Sequence, residues 1–157
     1  MPSRLDFRRH MLSLPLVFLV AGCAAPLYDE QTDKEITSLQ REVDGRLTAL
    51  ISLSRSRDKA AIQKASYAQN SDFYDKVDSD LTILRTRMLA SADPSAAKLA
   101  PIFDNLAASI ADLRRVHEAQ DRLGAAALVA TRNQLNAQFS TLLTYELALK
   151  KGAASVP

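Results

Sequence analysis

Cysteine, tryptophan and glycine are scarce in this chain: of 157 residues one is cysteine, four are glycine and none is tryptophan. A single cysteine excludes an internal disulfide and any Cys-x-x-Cys metal or redox pair. His117 is the only histidine after residue 22, so no His-x-x-x-His or Glu-x-x-His metal pair can be built. Covalent haem lacks its Cys-x-x-Cys-His motif. There is no Gly-rich phosphate loop, no Gly-x-Ser-x-Gly nucleophile elbow and no EF-hand loop with its glycine and terminal glutamate. Breakers are few as well, since only Pro94 and Pro101 fall between Leu27 and Val156. Charge of one sign is also missing. Arg4, Arg8 and Arg9 against Asp6 account for the whole net charge of +2, and the remainder is balanced. A balanced domain has no long-range field to steer it toward nucleic acid.

The amino-terminal stretch has a basic head, an apolar run from Met11 to Val20, and then two small residues before the cysteine. That is the layout of an export signal. The run is too short for a membrane span, which needs about 20 apolar residues. Val20-Ala21-Gly22-Cys23 reads as a lipobox, and Leu19-Val20-Ala21-Gly22-Cys23 resembles the bacterial lipoprotein signal. The resemblance covers residues 1–23. It implies diacylglyceryl transfer to the Cys23 thiol, cleavage between Gly22 and Cys23, and acylation of the new amine. Ala24 stands where that family's inner-membrane proteins carry aspartate, which implies the periplasmic face of the outer membrane. An ordinary cleaved signal with an incidental cysteine is the alternative, and Arg8-Arg9 also fits a twin-arginine head.

The expected organisation is a signal peptide at 1–22, a lipidated tether at 23–31, a helical domain at 32–151 and a flexible tail at 152–157. Four extended residues after Cys23 reach about 14 Å, so the folded part would sit close to lipid. Abundant alanine and leucine with few breakers predict helix throughout. Thr32-Asp33-Lys34-Glu35 fits a capping box opening the first helix. Ile36, Leu39, Val43, Leu47 and Leu50 then step by three or four along one face. Gly45 lies in that helix, and its expected use is close approach of a neighbour. A second helix is expected from Asp58 to about Ala90, with Phe73, Val77, Leu81, Leu84 and Met88 as its stripe and a joint around 69–72. Asp93-Pro94 opens a third helix, or Pro101 delays its start to about Ala100. Its seam is Leu99, Phe103, Leu106, Ile110, Leu113 and His117, and it ends before Gly124. A fourth runs from about Ala125 to Lys150, burying Leu128, Leu135, Phe139 and Leu142, widened by Leu143 and Leu147 and stopped by Gly152. The fold class is therefore all-α, an antiparallel up-down bundle of four helices; three long helices with a kink are the alternative. In helix content the domain is similar to small helical envelope lipoproteins, with no shared diagnostic motif.

Candidate chemistry is sparse. His117 falls on an apolar register and reads as a residue at the core's edge. Asp72, Asp75, Asp78 and Asp80 form an acidic cluster that reads as a solvated face, helped by Asp72–Lys76, with a weak cation site as the alternative. Tyr67 and Tyr74, seven residues apart, share a helix face and are the candidate partner surface, because tyrosine is favoured at interfaces. No catalytic, metal or cofactor residue is expected. The function expected is a noncatalytic interaction or scaffold module, anchored at Cys23, with an envelope protein or a second copy as partner. The alternative is an envelope sensor or carrier holding an apolar ligand between its helices.

Overall fold

The computed structural model describes residues 29–90 and 96–154. The expected signal, Val20, Ala21, Gly22, Cys23 and most of the tether lie outside them, as do the break at 91–94 and residues 155–157. In chain order the helices are α1 Glu30–Arg55, α2 Lys59–Lys64, α3 Ser71–Ala90, α4 Ala96–Gln120 and α5 Ala125–Ala154, with a 3-10 turn Tyr67–Gln69 between α2 and α3. The four long helices make an all-α antiparallel bundle. Going round it, α1 lies beside α3, α3 beside α4, α4 beside α5, and α5 returns most extensively to α1.

Cross-bundle polar contacts show each pairing to be antiparallel. Glu35 meets Arg87 while Glu42 meets Lys76. Arg85 meets Asp104 while Asp75 meets Arg114. Gln40 meets Asn136 and Asp44 meets Arg132. Ser109 of α4 accepts from Gln134 and Gln138 of α5.

The core follows the expected seams. Ile36, Leu39, Val43, Leu47 and Leu50 of α1 are buried, as are Phe73, Val77, Leu81, Leu84 and Met88 of α3. The α4 seam from Leu99 to Leu113 and Leu128, Leu135, Phe139 and Leu142 of α5 close it from the other side. Leu147 departs from expectation: it is 52% exposed, because the inward face of α5 continues through the buried Glu146 and Leu147 stands about 100° round the helix from it.

Several boundaries are corrected. Asp29, not Thr32, caps α1: its carboxylate accepts from the Gln31 amide at 3.0 Å and from the Thr32 hydroxyl at 2.6 Å. The Thr32 hydroxyl is thereby used as a donor, and Glu35 turns to Arg87 instead of closing a capping box. The expected helix from Asp58 to Ala90 is split. Asp58 does cap α2, accepting from Ala61 N–H at 3.0 Å, but α2 ends at Lys64. The Asn70 side-chain amide donates to the carbonyls of Lys64 and Ser66 at 3.0 and 2.7 Å, which satisfies the end of α2 without further helix. Lys76 pairs with Asp80 and Glu42 rather than Asp72. Helix α4 runs through Pro101, near its start, and forgoes there the one backbone bond that the missing N–H would have made. Helix α5 continues through Gly152 to Ala154, past the expected stop and into the expected tail, since glycine disfavours helix without blocking it.

Gly45 makes no close approach. It is exposed, and a Cβ built there meets nothing within 4 Å. Gly45→Ala is accordingly expected to stabilise the bundle by about 1 kcal/mol, the helix-propensity difference between the two residues. A thermal melt that moved downward would show that the position has a partner after all.

Candidate functional site

The sequence-chosen residues that the structure describes gather at the bundle end where α1 and α4 finish. Tyr74 on α3 is 0% exposed, and His117 on α4 is also 0% exposed. Tyr67 is half-buried and stacks on Tyr74, ring centroids 6.1 Å apart and planes 25° apart. Both tyrosine rings lie edge-to-face with the His117 ring, centroids 5.8 Å apart. The expected tyrosine partner surface is therefore corrected: the shared face packs inward, between α3, α4 and the 3-10 turn. The 4-3-4 register of α4 aims His117 at α3, and the break after α2 turns Tyr67 back over the pair.

The hydrogen bonds define the protonation pattern. His117 Nε2 lies 2.9 Å from the Ala65 carbonyl, which can only accept, so Nε2 carries the proton. Nδ1 then accepts from the Tyr74 hydroxyl at 2.8 Å. Both ring nitrogens are thus committed to the chain itself, and neither is offered to a substrate or a metal. Burial, reinforced by Tyr67 and only partly offset by Arg114 and Arg46, pushes the Tyr74 phenol well above its ordinary range. It remains a neutral donor.

Residues that sequence reasoning missed complete the cluster. Arg114 donates to the Tyr67 hydroxyl at 3.1 Å and pairs with Asp75 at 2.7 Å. Asp121 sits in the left-handed region, φ 55°, just after α4. Its carbonyl and its carboxylate both accept from the Tyr67 amide at 3.1 Å. The signal that was available is chemical: aspartate and asparagine tolerate that conformation and bond to nearby backbone, and both stand at helix ends here. The arrangement fastens the α2 crossing to α4. Among the described residues no group of three or more His, Cys, Asp or Glu side chains is placed to hold a metal ion. Asp75 and Asp80 of the acidic cluster are engaged by Arg114 and Lys76.

A second feature is the outer face of α5. Between residues 126 and 148 the only charged side chains are Arg132, which reaches Asp44, and Glu146, which is buried. Every exposed residue in that stretch is uncharged, with Val129 36% and Leu147 52% exposed among them. The outer faces of α1, α3 and α4 each carry several charged residues.

Inter-helix carboxylates set the response to acid. Hydrogen bonds from Arg132, then Asn136, hold the Asp44 carboxyl below its ordinary range. Arg87 and Gln31 do the same for Glu35, and Thr32 leads for Asp29. Each is more acidic folded than unfolded. Its contribution is therefore complete above the unfolded value of about 4 and is lost as the pH falls through the lower folded value. Urea midpoints are expected to fall steadily from about pH 4.5 downward. Asp44→Asn should lower the midpoint at pH 7 and flatten that fall; an unchanged acid profile would remove Asp44 from the account.

The described residues thus define a four-helix bundle with a polar clasp at one end and, between residues 126 and 148 of α5, an exposed surface without charge. No protein-family model, curated protein or solved structure matches the chain.

Proposed function

We propose that the protein is a lipid-anchored component of the bacterial cell envelope, held at the periplasmic face of the outer membrane through Cys23, and that its bundle acts as a noncatalytic interaction or scaffold module. The observation that carries this reading is Leu19-Val20-Ala21-Gly22-Cys23 behind a basic head and a short apolar run. Two or more long acyl chains anchor stably, because each buried methylene contributes about 0.8 kcal/mol. The outer face of α5 supports the interaction half of the reading, since cores of protein interfaces are depleted in charge. The commitment of both His117 nitrogens to Tyr74 and Ala65 agrees with a structural histidine.

Cys23→Ser is expected to abolish acylation and release the protein from the outer-membrane fraction, read by flotation of envelopes and by intact mass. A serine variant that still floats with the outer membrane, or native protein retaining Met1, defeats the anchor.

A further inference from the structure

The helix registers bring three chain segments to one end of the bundle. The start of α1 meets the end of α3 through Glu35 and Arg87. The end of α5 reaches the same place, where the Lys150 charge is felt by the Glu30 carboxyl. Continuing the register of Asp44 with Arg132 sets Glu30 level with Glu146, so α5 overhangs the first residue of α1 by about 12 Å at 1.5 Å per residue. Two of the four large apolar side chains exposed on the described surface lie at this end, Leu89 at 44% and Leu147 at 52%. Leu89 is the penultimate residue of α3, and Leu147 opens the overhang. Lys150 and Lys151 follow Leu147 within about one turn.

We propose that this end of the bundle faces the phospholipid surface, with Lys150 and Lys151 on the overhang of α5 at headgroup level and Leu147 and Leu89 set just behind them. The inference rests on the anchor at Cys23. Five residues separate Cys23 from the cap Asp29, and the six steps between them span at most about 20 Å when fully extended. Helix α1 is itself about 39 Å long, so the tether holds its beginning, not its end, against the lipid. Neutral overall charge is no obstacle, because the acyl chains supply the attraction without a basic patch.

The test uses the lipidated protein in vesicles of phosphatidylethanolamine and phosphatidylglycerol. Once the Cys23 sulfur is a thioether the chain has no other thiol, so single cysteines at Leu89→Cys, Leu147→Cys and Gln63→Cys each take one environment-sensitive dye. All three sites are exposed or face solvent, and circular dichroism checks that the bundle is intact. Lipid-borne quenchers are expected to quench dyes at 89 and 147 severalfold more than at 63, with a blue-shifted emission. If the protein floats with vesicles but the three dyes are quenched alike, the end-on contact is wrong and the anchor stands. If it carries no acyl mass and does not float, the anchor falls and the contact with it.

Discussion

His117→Ala is expected to destabilise the bundle by about 3–5 kcal/mol, as for a large side chain removed from a filled interior. Two losses combine. The ring leaves a hole among Tyr67, Tyr74 and the α4 seam, where His117 itself is 0% exposed. The Tyr74 hydroxyl and the Ala65 carbonyl are then left without the partners seen at 2.8 and 2.9 Å. Tyr74→Phe keeps the ring and removes only the donor to Nδ1, so its cost should be about 1–2 kcal/mol. Because the two residues share one hydrogen bond, the double variant should cost less than the sum of the singles. Urea unfolding of the four proteins gives the coupling directly. A His117→Ala penalty below about 1 kcal/mol would mean that the clasp contributes little to the fold.

Phe139→Ala is expected to cost about 3–5 kcal/mol, whereas Leu147→Ala, eight positions further along the same helix, should change stability by less than about 0.5 kcal/mol. Phe139 is 1% exposed and Leu147 is 52% exposed. The contrast matters because α5 has apolar or small residues on several sides, and its sequence pattern groups Leu147 with the inward face that Phe139 occupies. Comparable penalties at the two positions would show that α5 is rotated from the orientation described. Equilibrium unfolding at neutral pH is sufficient to decide.

The seams of α1, α3 and α4 were legible because strong leucine, isoleucine and phenylalanine periodicity stands out against charged outer faces, as at Ile36 to Leu50 and Leu99 to Leu113. On α5 the outer face is uncharged, so Leu147 was assigned to the wrong side. The break between α2 and α3 was hidden because its cause is one residue's side chain, Asn70, competing with the helix for the carbonyls of Lys64 and Ser66. Thr32 and Asp29 are both good caps, and only the geometry of the Asp29 carboxylate separates them. The tyrosine pair was found by spacing, but its orientation depended on His117 and Asp121, more than 40 residues away in sequence.

The broadest partner of the first helix is the last one, joined to it by Asp44, Arg132 and Asn136. During synthesis, which proceeds from the amino terminus, α1 therefore emerges at the outset while its chief neighbour is still unmade. The buried seam of α1 stays uncovered on that side until α5 arrives. Chains stopped short of residue 125 should remain loose and protease-sensitive, because closure of the bundle waits for α5.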